Sequence, residues 1–275
     1  MILDGHVHID DGPPRPNELL ARMQEAGVAG GVVISLPPPA YRPSVRPEPA
    51  GRRLDGLMAW CPAGGELYPF YWLDPLEHDA TDQVAQAVER GVAGFKVICD
   101  RYGPGNDRAI EVFQAVARTR RPILFHSGIL WDGKPSSSFN RPAEFEALLR
   151  APGLRFALAH ISWPWCDELI ATYGKFLNAR RRTPGYTGEM FIDTTPGTPP
   201  IYRREALTRL FTVGYDVAEN VMFGTDCLTS RYDVDWTRQW LDRDRQILCG
   251  LDLPERTVAG VFGENLKRFL AVGPP

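Results

Sequence analysis

Eight short apolar runs recur along the 275 residues, each followed by an amphipathic stretch or a long loop. They lie at Met1–His8, Ala29–Leu36, Leu67–Leu73, Gly94–Cys99, Pro122–His126, Arg155–His160, Glu189–Thr194 and Asn220–Asp226. Runs such as Gly31-Val32-Val33-Ile34 and Pro122-Ile123-Leu124-Phe125 are apolar without alternation. That pattern suits strands covered on both faces, as in a parallel sheet. Between the runs the apolar period lengthens to that of a helix. In Asp82–Arg90 the residues Val84, Ala87 and Val88 share one face, and Gly91 follows where a helix C-cap favours glycine. Ala109–Arg118, Ala143–Arg150, Glu205–Phe211 and Trp236–Cys249 read the same way. Eight strand–helix units over this length take about 34 residues each, the arithmetic of a (β/α)8 barrel. An open doubly wound sheet is the competing architecture, but its glycine-rich turn after the first strand is missing. A single (β/α)8 TIM-barrel domain of α/β class is therefore expected over residues 1–275. The proline-rich stretch Pro37–Pro49 reads as a loop after the second strand, either a surface excursion or a lid.

Composition narrows the setting. A 44% hydrophobic content supplies a sizeable core. With 31 basic and 34 acidic residues the net charge is −3, which gives no electrostatic reason to expect nucleic acid or an anionic membrane as partner. No apolar run approaches the roughly 18 residues of a membrane span, and no signal-peptide pattern precedes the first strand. The five cysteines (Cys61, Cys99, Cys166, Cys227, Cys249) are an odd number without a CxxC pair. A reduced, cytoplasmic protein is the expectation.

The histidines point to chemistry. There are five (His6, His8, His78, His126, His160), and four of them fall at the ends of the first, fifth and sixth strands. Asp226 closes the eighth in Phe223-Gly224-Thr225-Asp226. In a barrel those ends converge on one mouth, where active sites are built. His6 and His8 are two apart on a strand, so both face the barrel interior. Neutral imidazoles with one carboxylate make a site that keeps a position open for water. Such a set suits one divalent ion: zinc first, with manganese, iron or cobalt compatible.

These residues carry a resemblance. Asp4-Gly5-His6-Val7-His8-Ile9, Gly94–Val97, Leu124–Gly128, Ala159-His160, Phe223–Asp226 and Gly263–Leu270 together resemble the amidohydrolase superfamily. More narrowly they are similar to its amidohydrolase-related (amidohydrolase 2) branch, which includes aminocarboxymuconate semialdehyde decarboxylase and pyrone-dicarboxylate lactonase relatives. The resemblance implies a metal-dependent barrel with His6, His8, His126 and Asp226 at the ion. It also implies His160 as the residue that polarises substrate or assists proton transfer. Metal-activated water would be the nucleophile and Asp226 the general base. Some members of the superfamily carry a carboxylated lysine bridging two metals near the fourth strand end, where Lys96 stands. The branch resembled generally keeps one metal, so Lys96 equally reads as a carboxylate partner or substrate ligand.

Other candidates are weaker. His78 reads as a solvated loop residue that has an alternative place in the mouth. Asp193, ending the seventh strand, is either a turn residue or an acid behind the ligands. The loops after strands four to six hold Arg101, Tyr102, Trp131, Lys134, Arg141, Trp163 and Trp165. Aromatic planes with arginines suit a small planar carboxylate, so Arg101, Tyr102, Trp131, Arg141 and Trp163 are the candidate substrate contacts. The leading expectation is hydrolysis of a small-molecule amide, lactone or ester. The alternative is a metal-dependent non-oxidative decarboxylase of an unsaturated or aromatic acid. Decarboxylases of the branch sometimes carry glutamate at the first position of the HxH pair, and His6 is intact. A barrel that has lost catalysis and serves only in binding is opposed by the intact ligand set. A homodimer is usual for the family resembled.

Overall fold

The computed structural model describes residues 1–41 and 48–271. The middle of the Pro37–Pro49 loop therefore lies outside the described residues. Among the described residues, nine strands form one parallel sheet: β1 (Leu3–His8), β2 (Gly30–Ile34), β3 (Leu67–Trp72), β4 (Gly94–Val97), β5 (Ile123–Phe125), β6 (Arg155–Leu158), β7 (Glu189–Asp193), β8 (Val221–Met222) and β9 (Cys227–Leu228). Their order is β8-β7-β6-β5-β4-β3-β2-β1-β9. The helices α1 (Pro16–Glu25), α2 (Ala50–Trp60), α3 (Ala80–Glu89), α4 (Asp107–Thr119), α5 (Cys166–Arg182), α6 (Pro200–Thr212) and α7 (Val234–Cys249) lie between strands or follow the last. Two short helices, α8 (Glu255–Ala259) and α9 (Asn265–Leu270), end the described chain. This is a TIM-barrel-like α/β fold. No helix among the described residues is long and apolar enough to cross a membrane.

The eighth apolar run departs from its expected form. It ends as a strand at Met222, and Phe223–Asp226 is irregular before the chain resumes as β9 against β1. The cause is ring closure. Gly5 N–H donates to Phe223 O at 2.9 Å and Asp226 N–H to His6 O at 2.9 Å, so this segment is shared between the two ends of the sheet. The stretch expected as a helix over Ala143–Arg150 is 3-10 (Pro142–Arg150). Its buried Phe145 and Leu148 are three residues apart, a spacing that a three-residue turn keeps on one face.

Strand alternation sorts the core into two layers. Val33, Phe95, Phe125, Phe156, Leu158 and Ile192 face the surrounding helices. Val32, Ile34, Leu124, Ala157 and Phe191 point inward. Both sets are buried, hence the absence of alternation in sequence. At the end where β1 and β6 begin, α9 closes the barrel: Leu266 and Phe269 join Leu3 in the inner layer, and Arg155 donates to Phe269 O at 2.8 Å. The inward positions at the opposite end remain for chemistry.

One buried ion pair ties the outer helices to the sheet. Arg203 of α6 is 0% exposed and donates from Nε to Asp244 Oδ1 of α7 at 2.8 Å, with a second bond to Oδ2. It also donates to the carbonyl of Thr194, just after β7, and its guanidinium lies 5.0 Å from the Trp240 ring centre.

Candidate metal centre

Inward parity delivers the site. In β5 Leu124 faces in, so His126 does too; in β7 Phe191 faces in, and Asp193 follows it. Lys96 takes the inward position of β4, between the outward Phe95 and Val97. In β1 a register shift between Asp4 and Val7 resets the alternation, leaving Val7 outward and His6 and His8 inward. Asp4 anchors that irregularity. It accepts from His6 N and Thr225 N, each at 3.0 Å, from Thr225 Oγ1 at 2.6 Å and from Tyr232 OH at 2.9 Å. One buried carboxylate thus sets the backbone beside His6 and beside Asp226.

His6, His8 and Asp226 each offer a ligand atom, and these atoms all lie within 4.8 Å of one another. His6 Nε2 is 3.1 Å from His8 Nε2 and 3.7 Å from Asp226 Oδ1, and His8 Nε2 is 3.4 Å from that same oxygen. Asp193 decides what His6 offers. Its Oδ2 sits 2.7 Å from His6 Nδ1, which donates as N–H and leaves a bare lone pair at Nε2. Thr195 N–H donates to the other oxygen of Asp193 at 2.6 Å, as does the Thr195 hydroxyl. Burial, then the Lys96 charge, holds His6 well below the usual imidazole range, so the ring is neutral at neutral pH. Neutral imidazoles and a carboxylate are the donors a divalent cation takes, and this set fits one.

His126 faces His160 with ring centres 4.9 Å apart, and its Nε2 donates to Ile129 O at 3.2 Å. His160 lies 5.3 Å from the His6 ring. Burial lowers its pKa to about 4 against the opposing charge of Asp193, so it is neutral at pH 7. The backbone at the site is strained: His160, Ile161, Ser162 and Asp226 have φ of 64°, 47°, 54° and 62°. Left-handed conformation at non-glycine residues costs about 1–3 kcal/mol each and persists where surroundings enforce it. Here Ser127 braces the turn, donating to Ala159 O and meeting Ser162 Oγ, both at 2.7 Å. Gly197 and Gly224 leave room: a Cβ at either would stand 2.7 Å from His160 Cβ or 2.9 Å from His6 Cβ.

A cation faces the cluster. Lys96 Nζ is 3.3 Å from His6 Nε2, and burial draws its pKa down against the pull of Asp226 and Asp193. Asp226 keeps 41% of its side chain exposed at the cavity, and desolvation of the remainder raises its pKa against the charge of Lys96. Above the cluster opens a cavity of about 700 Å³, lined among others by His126, His160, Trp131 and Trp163.

The other candidate contacts lie elsewhere. Arg101 pairs with Asp74 and Asp100, Tyr102 is buried beneath the loop, and Arg141 pairs with Glu168 and lies over Trp165; none of the three lines the cavity. His78 is 97% exposed and stands away from it. Among the lining residues that the sequence does not single out are Tyr41, Trp72 and Arg231. Trp72 was accessible to the rule that found the histidines, since it ends β3.

Replacing Asp193 with alanine is expected to weaken the affinity for an added divalent ion about 10–100-fold, because the His6 tautomer is no longer held. Competition against a chromogenic chelator measures it, and an unchanged affinity would show that Asp193 does not orient the ligand.

The amidohydrolase family model matches residues 3–272. The fold is similar to a probable 2-pyrone-4,6-dicarboxylic acid hydrolase from Acinetobacter baumannii, solved with citric acid bound, at TM-score 0.63, 11% identity and 98% coverage of each chain. It is similar to an amidohydrolase 2 from Bifidobacterium longum subsp. infantis at TM-score 0.59 and 14% identity, again covering 98% of each. Dihydroorotase from Campylobacter jejuni superposes at TM-score 0.58 and 14% identity, over 97% of this chain and 82% of that one. No curated protein sequence matches the chain.

Proposed function

The chain belongs to the amidohydrolase family, and on that premise we propose that it hydrolyses an amide, lactone or ester of a small molecule with one divalent ion, zinc foremost. His6, His8 and Asp226 would hold the ion, with His126 completing the set. The observation that carries this reading is the convergence of three ligand atoms within 4.8 Å of one another, one of them held as a lone-pair donor by Asp193. The same fold carries hydrolytic chemistry in the pyrone-dicarboxylic acid hydrolase and dihydroorotase described above, and this reading follows them. The five free cysteines support a reducing, cytoplasmic setting.

When bound, a divalent ion supplies Lewis acidity, polarising the scissile carbonyl and making water a nucleophile near neutral pH. The chain supplies the rest. Asp226 takes a proton from the attacking water and returns it to the leaving group. His160, neutral and within reach of the cavity, donates a hydrogen bond to the carbonyl oxygen as negative charge builds on it. Lys96, its ammonium facing Asp226, favours the ionised carboxylate that accepts the proton.

Metal content of untagged protein is expected at one ion per chain, with hydrolysis of a lactone, amide or ester panel lost on chelation and restored by one equivalent of zinc. Failure to take up any ion, or carbon dioxide release in place of hydrolysis, would overturn the reading. Two ions per chain would assign Lys96 to a bridge between them.

A further inference from the structure

We propose that one stripe of α7, Trp236, Trp240 and Asp244, positions the two carboxylates of the metal centre, Asp226 and Asp193, through the peptide units that adjoin them. These are positioning residues, since none of the three lines the cavity. The proposal rests on the reading of the cluster as a metal site.

The three residues are four apart, so they lie along one face of the helix. Trp236 Nε1 donates to Thr225 O at 3.1 Å. The same peptide unit carries the Asp226 N–H, which donates to His6 O at 2.9 Å. Next along the stripe, Trp240 meets the Trp236 ring edge-on with centres 5.5 Å apart, and the Arg203 guanidinium lies over it at 5.0 Å. Asp244 accepts from that guanidinium through both oxygens. Aimed in this way, Arg203 donates to Thr194 O. That peptide unit carries the Thr195 N–H, which donates to Asp193 Oδ1 at 2.6 Å.

Two peptide units are thus gripped in the same manner. A peptide is planar, and in its trans form the C=O and N–H point in opposite directions. Fixing the oxygen from the helix side therefore fixes the direction of the N–H on the other side. In one unit that N–H closes the ring beside a ligand. In the other it holds the acid that sets the His6 tautomer. Asp226 needs such a grip, because left-handed backbone at a non-glycine residue persists only where its surroundings enforce it. Packing alone would be served by an apolar side chain at position 244. Instead a buried aspartate aims an arginine whose last contact is a carbonyl beside the site.

The test uses two variants of the full chain. Trp236→Phe keeps a ring against Trp240 and removes the N–H. Arg203→Met with Asp244→Leu removes the donor to Thr194 O and leaves no buried charge behind. Zinc affinity is measured by chelator competition, and amide hydrogen exchange by NMR on the metal-free protein. Each variant is expected to bind zinc about 3- to 10-fold more weakly, the worth of one lost hydrogen bond behind a ligand. Exchange should quicken at least about 3-fold at the Asp226 amide in Trp236→Phe and at the Thr195 amide in the double variant, with β3 and β4 amides at wild-type rates. A stripe that serves stability alone would quicken exchange evenly. Even acceleration, unchanged exchange at both amides, or unchanged affinity where the wild type binds zinc would overturn the proposal. A wild type that takes up no zinc, with exchange quickened selectively at the two amides, supports the brace on the two carboxylates and overturns the hydrolase reading alone.

Discussion

Replacing Asp226 with asparagine is expected to lower kcat about 1000-fold or more while leaving the thermal midpoint within a few degrees of the wild type. A general base contributes about 100- to 10,000-fold, and an amide cannot accept the proton that a carboxylate takes. Asparagine keeps the shape of the side chain and tolerates the left-handed backbone, φ 62°, found at this position. The backbone bond from residue 226 to His6 O is also retained, so ring closure is not at risk. Zinc content measured on the same sample separates lost proton transfer from lost metal. Turnover above about a tenth of wild type would remove Asp226 from the reaction.

The largest stability effect is expected far from the cavity. Asp244→Ala leaves the Arg203 guanidinium buried at 0% exposure with its carboxylate gone. Breaking a buried pair on one side costs about 3–5 kcal/mol, a large share of the roughly 5–15 kcal/mol that a typical domain has. The urea midpoint should fall accordingly. The double replacement Arg203→Met with Asp244→Leu should recover much of the loss, since no charge then remains without a partner. A shift below about 1 kcal/mol for Asp244→Ala would mean that water reaches the guanidinium after the change.

The eight strand positions and the convergence of His6, His8 and Asp226 were legible in sequence because both follow from local periodicity. Strand parity puts both histidines of HxH on one face, while the register shift that Asp4 anchors decides that the face is the inner one. What periodicity does not encode is the partner of a charged group. Arg101 and Arg141 looked like substrate anchors because Asp74 and Glu168 lie 27 residues away from each in sequence, and only folding brings them together. The form of the eighth strand was hidden for a related reason. Residues Phe223–Asp226 leave regular pairing to bond with β1, a constraint imposed by the opposite end of the chain. Asp193 stood equally as turn residue and as support for a ligand until its oxygen was found 2.7 Å from His6.

The carboxylate of Asp4 joins residues separated by 221 positions, and this has a bearing on how the protein is made. During synthesis the two histidines of β1 leave the ribosome first, and Asp226 follows only after most of the chain. At about 5–20 residues per second that interval is on the order of ten seconds or more. Throughout it Asp4 lacks Thr225 and Tyr232 as donors, and the register shift that points His6 inward has nothing to hold it. A ribosome-bound chain thus exposes imidazoles without their carboxylate. An ion captured then would be held by fewer ligands and exchange readily. A divalent ion retained by this ligand set would be one taken up by the finished, closed ring.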